Sequence, residues 1–166
     1  MMRKALLIAG AVLVADQLTK AWIVATYPLG WEQQVIPGLF RLVHTRNRGV
    51  AFGLLGSSGP LVQIGLLALI VAVVAFIIWH LAKGGTDGLT RVALALVLGG
   101  AIGNLVDRVL RGEVVDFLLF YITKAGREIQ WPAFNVADSA ISTGACLIIL
   151  AEIVTMVRNK HVPVDH

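Results

Sequence analysis

The sequence predicts an all-α membrane bundle of four transmembrane helices with a small extracytoplasmic β-sheet. Three observations carry that expectation. Of 166 residues, 57% are hydrophobic and only 14% are charged, whereas a soluble domain holds about 25% charged residues. The mean hydropathy is +0.81. The apolar residues gather into four runs, each close to the ~20 residues that a helix needs to cross the hydrocarbon of a bilayer. A single domain over 1–166 is expected, with helices at about 4–25, 61–82, 89–107 and 134–157 and extracytoplasmic segments at about 26–60 and 108–133.

The first run opens like a secretory signal, with Arg3 and Lys4 ahead of an apolar stretch from Ala5 to Ala15. A cleavable signal needs small residues at its processing site. Here the nearest such pattern, Ala9-Gly10-Ala11, lies inside the apolar core. The helix instead continues through Asp16-Gln17-Leu18-Thr19-Lys20 to Trp22 and Tyr27, aromatics suited to a membrane interface. Asp16 and Lys20 stand one helical turn apart, where opposite charges can pair. In the next link, Gln33-Gln34-Val35-Ile36 and Leu39-Phe40-Arg41-Leu42-Val43-His44 read as short strands separated by Pro37-Gly38. Residues 47 to 55 then mix Asn47, Gly49 and Gly53 with Phe52, Leu54 and Leu55, so a small sheet at the membrane surface is expected.

The second run carries no Asp, Glu, Lys or Arg and ends near Trp79 and His80. A short link, Lys83-Gly84-Gly85-Thr86-Asp87-Gly88, leads to the third. There Ala95, Gly99 and Gly103 recur at four-residue spacing, a stripe that lets a neighbouring helix approach closely. Glycine is also simply common in membrane helices. The fourth run carries Asp138 near its start and Glu152 near its end. It also holds Cys146, the chain's one cysteine, expected to serve packing rather than chemistry.

Four crossings put both termini on one side. Raw counts of Lys and Arg do not decide which side. Arg3 and Lys4 directly flank the first helix and Arg158-Asn159-Lys160 follow the last, which favours cytoplasmic termini. The net charge of +4 comes without basic clusters interleaved with aromatics, so nucleic acid is not an expected partner. Anionic phospholipid is the milder reading.

Asp116 and Asp138 bracket a polar excursion between the third and fourth runs. The third run exits near Asp107, and the fourth must re-enter from the same side, so both carboxylates fall near one membrane surface. Ionisable groups at such depth are costly and call for a partner or a function. Two adjacent carboxylates share one proton, which is the chemistry of an aspartic protease. Other readings stay open on chemistry alone. Asp138 could cap the fourth helix, Asp116 could be solvated, and Asp107-Arg108 could be an interfacial salt bridge. A transporter using Asp16, Asp138 and Glu152 is disfavoured because these charges form no continuous relay. A purely structural protein packed through its glycine stripe is the remaining rival. His44, His80, His161 and His166 are scattered and form no HExxH site, so no metal or other cofactor is expected. Ser57-Ser58 has no evident Ser-His-Asp setting.

Five stretches occur in order: Asp16-Gln17-Leu18-Thr19-Lys20, Asn47-Arg48-Gly49-Val50-Ala51-Phe52, Gly99 to Arg108, Val114-Val115-Asp116-Phe117, and Phe134-Asn135-Val136-Ala137-Asp138-Ser139-Ala140-Ile141. Together they resemble the lipoprotein signal peptidase family, the type II signal peptidases of bacteria. The resemblance implies a four-helix membrane aspartic protease whose extracytoplasmic sheet cradles the substrate. It implies Asp116 and Asp138 as the catalytic dyad, with supporting or substrate-positioning roles for Asp16, Lys20, Asn47, Asn104, Arg108 and Asn135. The implied substrate is a diacylglyceryl-modified prolipoprotein, cleaved immediately before its lipidated cysteine. The implied location is the bacterial inner membrane, with the active site near the extracytoplasmic surface. A monomer is expected.

Overall fold

Backbone amides and carbonyls cannot stay unpaired in hydrocarbon, so each apolar run closes on itself as a helix. The computed structural model describes residues 2–49 and 59–160, with side chains through 158. The Val50-Ala51-Phe52 part of one motif, the Gly53–Leu55 stretch, Ser57-Ser58, His161 and His166 lie outside the described residues. The helices are α1 (Met2–Thr26), α2 (Pro60–Lys83), α3 (Gly88–Arg111) and α4 (Val136–Lys160). All four are long and apolar enough to cross a membrane.

Their ends follow local chemistry. Pro60 opens α2, where a missing N–H costs nothing. Asp87 caps α3 by accepting from Leu89 N at 2.9 Å and Thr90 N at 3.0 Å. The helix closes on Gly112, whose φ of 76° suits a left-handed terminus and whose N–H reaches Arg108 O. It therefore runs beyond position 107, and Asp107 and Arg108 belong to its last turns.

The middle of the bundle is α3, packed against α4 and α1 and, less extensively, α2. Small residues permit this. Ala95 is fully buried with Ala5 and Ala9, and a Cβ at Gly99 would lie 2.6 Å from Ala9 O. Gly100 faces the other way, against the Ala137 carbonyl of α4. The expected stripe thus serves α1, and its neighbour Gly100 serves α4. By contrast, α2 buries only Leu66, Ile77 and Leu81. Cys146 is exposed on the bundle's outer surface rather than packed inside it.

Four antiparallel strands form one sheet in the order β1 (Glu32–Ile36), β2 (Phe40–Asn47), β3 (Val114–Lys124), β4 (Arg127–Gln130). The two foreseen strands are β1 and β2. The hairpin β3–β4 was not foreseen. Its turn, Ala125-Gly126, has positive φ at both positions, a geometry that Asn-Gly or Asp-Gly would have announced more clearly. Leu42 pairs with Leu118 and Thr45 with Asp116, so β2 carries an extra residue at Val43-His44. After β4 the chain returns beside β3, with Phe134 and Leu118 exchanging bonds of 2.8 and 2.9 Å. Ile23 of α1 packs with Val115 and Phe117 of β3, anchoring the sheet to the bundle.

Candidate active site

That return strand delivers Asn135 and the start of α4 to the side of Asp116. Asn135 is fully buried. Its Nδ2 donates to Asp116 Oδ1 at 2.7 Å and to Val115 O at 3.2 Å. Its Oδ1 accepts from Asp138 N at 2.9 Å, and its own N donates to Asp138 Oδ2 at 3.3 Å. The last two bonds form a reciprocal cap on α4. So Asp138 does cap its helix, as one alternative held, and it also shares a single neighbour with Asp116. Asp116 is 2% exposed, which removes the solvated reading, while Asp138 is half-buried.

Asn104 completes the frame from α3. Its Nδ2 donates to Asp138 Oδ1 at 2.7 Å. Its Oδ1 accepts from Lys20 Nζ at 3.0 Å and Asn135 Nδ2 at 3.3 Å. An ammonium group can only donate, so Lys20 fixes which end of the Asn104 amide faces Asp138. The amide's orientation is therefore set by charge and not by chance.

Lys20 itself is fully buried, held by Asp16 at 2.8 Å and Asp107 at 2.9 Å. Arg111 pairs with the far oxygen of Asp107, and Gln17 Nε2 bonds to Asp16, Asp107 and the Gly103 carbonyl. Two cations thus meet two carboxylates. An unmatched charge here would cost several kcal/mol. The carboxylates also stitch the fold. Asp16 accepts from Ala137 N at 2.9 Å, at the start of α4, and Asp107 accepts from Val115 N at 3.2 Å, at the start of β3. Gly103 leaves the room that Asp16 occupies.

Arg108 donates to the carbonyls of Asn104 and Gly49, and its Nε has no partner. It does not bridge to Asp107, whose cations are Lys20 and Arg111; the interfacial Asp107–Arg108 pair does not form. Asn47 accepts from Gly49 N at 2.8 Å and its side chain bonds to Asp116. Burial, then the charge of Asp138, push the Asp116 carboxyl up to about 7. Asp116, Asp138, Asn104 and Arg108 all line a cavity of about 700 Å³ between α2, α3 and α4.

All eight residues singled out in the sequence lie in one connected polar region. Asn47, Asn104, Arg108 and Asn135 surround the carboxylate pair, and Asp16 and Lys20 stand behind Asn104. Sequence reasoning missed Gln17, Arg111 and the central place of Asp107. The four-residue spacing of Asp107 and Arg111 was the available signal.

Comparison with known proteins adds three findings. A family model described as signal peptidase (SPase) II matches residues 8–154. The chain is 47% identical over 148 residues to a lipoprotein signal peptidase of Syntrophotalea carbinolica, covering 89% of each, and 44% identical over 142 residues to one of Cupriavidus necator, covering 86% of this chain and 78% of the relative. A solved structure of a bacterial membrane enzyme superposes with a TM-score of 0.82 at 32% identity, covering 98% of this chain and 94% of that one; a second gives 0.73 at 35% identity, covering 89% and 91%.

Proposed function

The chain belongs to the signal peptidase II family, and from that premise we propose that Asp116 and Asp138 are the catalytic pair with which it cleaves a lipid-modified precursor. It is a multi-pass membrane endopeptidase of the signal peptidase II type. The substrate is a diacylglyceryl-modified prolipoprotein, cut immediately before the lipidated cysteine. One observation carries the reading of the pair: a single buried residue, Asn135, donates to both carboxylates, from its side-chain Nδ2 to Asp116 and from its backbone N to Asp138.

Hydrolysis needs a water made nucleophilic and a proton for the departing nitrogen. Carboxylates this close share one proton and titrate as a unit. The ionised member takes a proton from water, and the oxygen adds to the scissile carbonyl. The protonated member polarises that carbonyl, and the C–N bond breaks as its nitrogen gains a proton. Asn104 and Asn135 hold the acids in place. Arg108, with its free Nε–H beside the cavity, is suited to hold a substrate carbonyl. The cavity's other walls include Leu69, Val73, Val97 and Ile141. They suit the signal helix or acyl chains, whose burial contributes about 0.8 kcal/mol per CH₂. Anionic phospholipid surrounds a monomer, with both termini cytoplasmic and the sheet outside.

The test is a purified-enzyme assay on lipidated and unlipidated precursor. Asp116→Asn and Asp138→Asn should insert and fold yet lose cleavage by about 10²–10⁴-fold, the usual contribution of a general acid or base. Chelating divalent metal should leave the rate unchanged. Normal cleavage by either variant rejects the pair. Equal cleavage of unlipidated precursor rejects the substrate.

A further inference from the structure

An ammonium group has three hydrogens to give, and Lys20 has three acceptors around it. Asp16 Oδ2 lies at 2.8 Å, Asp107 Oδ2 at 2.9 Å and Asn104 Oδ1 at 3.0 Å. Two of these are carboxylates and the third is a neutral amide, so the amide is the weakest claimant. Yet the amide is the one the proposed reaction needs, because holding its oxygen turns Asn104 Nδ2 toward Asp138. If the carboxylates pulled harder, Lys20 would leave Asn104 first.

Arg111 restrains that pull at Asp107. Its side chain is 27% exposed and enters from the last turn of α3. Its Nη1 donates to Asp107 Oδ1, the oxygen that Lys20 does not hold, and to Gln17 Oε1 at 3.4 Å. Gln17 Nε2 donates in turn to Asp16 and Asp107. Without Arg111, Lys20 would face two buried carboxylates alone. Resting on the proposed function, we infer that Arg111 is a positioning residue for the catalytic pair: it draws charge from Asp107, which leaves a Lys20 hydrogen on Asn104 and so holds Asp138 in place. A plainer role exists, since a basic side chain in the last turn suits the helix dipole and pairs with an acid one turn back. That role predicts lost stability alone, whereas positioning predicts altered chemistry.

Three purified variants acting on lipidated precursor separate the two. Arg111→Gln and Arg111→Leu remove the charge. Arg111→Lys keeps it, and because one nitrogen of Arg111 makes both contacts, an ammonium group can replace it. The neutral variants should lose about tenfold in kcat, near the worth of one hydrogen bond to a charged group, with KM unchanged. Their pH profile should move as well. The pair is faced by Lys20 and Asp16 from α1, by Arg108 and Asp107 from α3, and by the neutral Asn47 of β2 and Asn135 ahead of α4. Lys20 favours the ionised form of Asp116, so drawing it away should shift the acid limb of kcat/KM upward by about half a pH unit to one unit. Arg111→Lys should restore both kcat and the profile. Neutral variants with lowered thermal stability but parental kcat and pH profile overturn the inference, as do neutral variants that do not fold. An Arg111→Lys as impaired as they are overturns it too. In each case the protease reading stands if the parent cleaves the precursor. A parent that leaves lipidated precursor intact overturns that reading, and this inference with it.

Discussion

Asp116 is 2% exposed, and burial beside a second carboxylate holds its proton up to about pH 7. The consequence for stability has a definite sign. Between the ordinary carboxylate range near 3.8 and about 7, the folded chain keeps this proton while the unfolded chain has lost it. Stability on this account falls as pH rises through that window and levels off outside it. Asp116→Asn removes the dependence. The variant should melt several degrees above the parent at pH 8 and close to it at pH 4, measured by thermal unfolding in the same detergent. A parent-variant difference that does not grow with pH contradicts the assignment. In activity, kcat/KM should fall on the alkaline side as the pair becomes doubly ionised. Much at this scale was legible: Asp116 and Asp138 are acids beside apolar runs, and such groups stand out in any membrane sequence. Asp107 was misread because Arg108 is its neighbour in sequence. On a helix the adjacent residue points elsewhere, and the true partners are Arg111 one turn on and Lys20 from another helix.

Among elements, α3 and α4 must approach closely for Asn104 to reach Asp138. Gly100 sets that distance. A side chain there would meet the Ala137 carbonyl and the Ile141 side chain. Because the obstacle is backbone, the helix itself must move. Gly100→Val should cost about 1–3 kcal/mol, as overpacking usually does, and should lower cleavage more than tenfold by displacing α4. Gly65→Val in α2, where an added carbon meets nothing, is the control and should change little. Thermal unfolding and turnover on lipidated precursor check both. The helices were legible from length and apolarity, which need no knowledge of neighbours. The β3–β4 hairpin was not, because Val114–Lys124 reads as one more apolar run and its Ala-Gly turn gives a weak signal. The return of the chain along β3, which brings Asp138 to Asp116, is a long-range pairing that no local pattern encodes.

For the molecule as a whole, basic residues stand on both sides of the bundle, so their count does not set its orientation. The proposal of cytoplasmic termini is checked with single cysteines placed in a chain lacking Cys146. A Lys124→Cys in the β3–β4 turn should react with a membrane-impermeant maleimide in cells whose outer envelope is opened. A Lys83→Cys between α2 and α3 should react only after lysis. The reverse pattern inverts the topology and puts the carboxylates on the wrong side for a translocated precursor. The arrangement of helices also governs how freely the sequence can drift. The middle of α3 meets protein on most sides, with Val92, Val109 and Leu110 exposed nearer its ends, while α2 buries only Leu66, Ile77 and Leu81 and turns the rest of its surface outward. Lipid accepts any apolar side chain of roughly fitting length, whereas a helix enclosed by others accepts few. Tolerance to mutation should therefore be laid out in rings, lowest along α3 and rising outward to α2, so that most neutral variation accumulates in the one helix with least to lose.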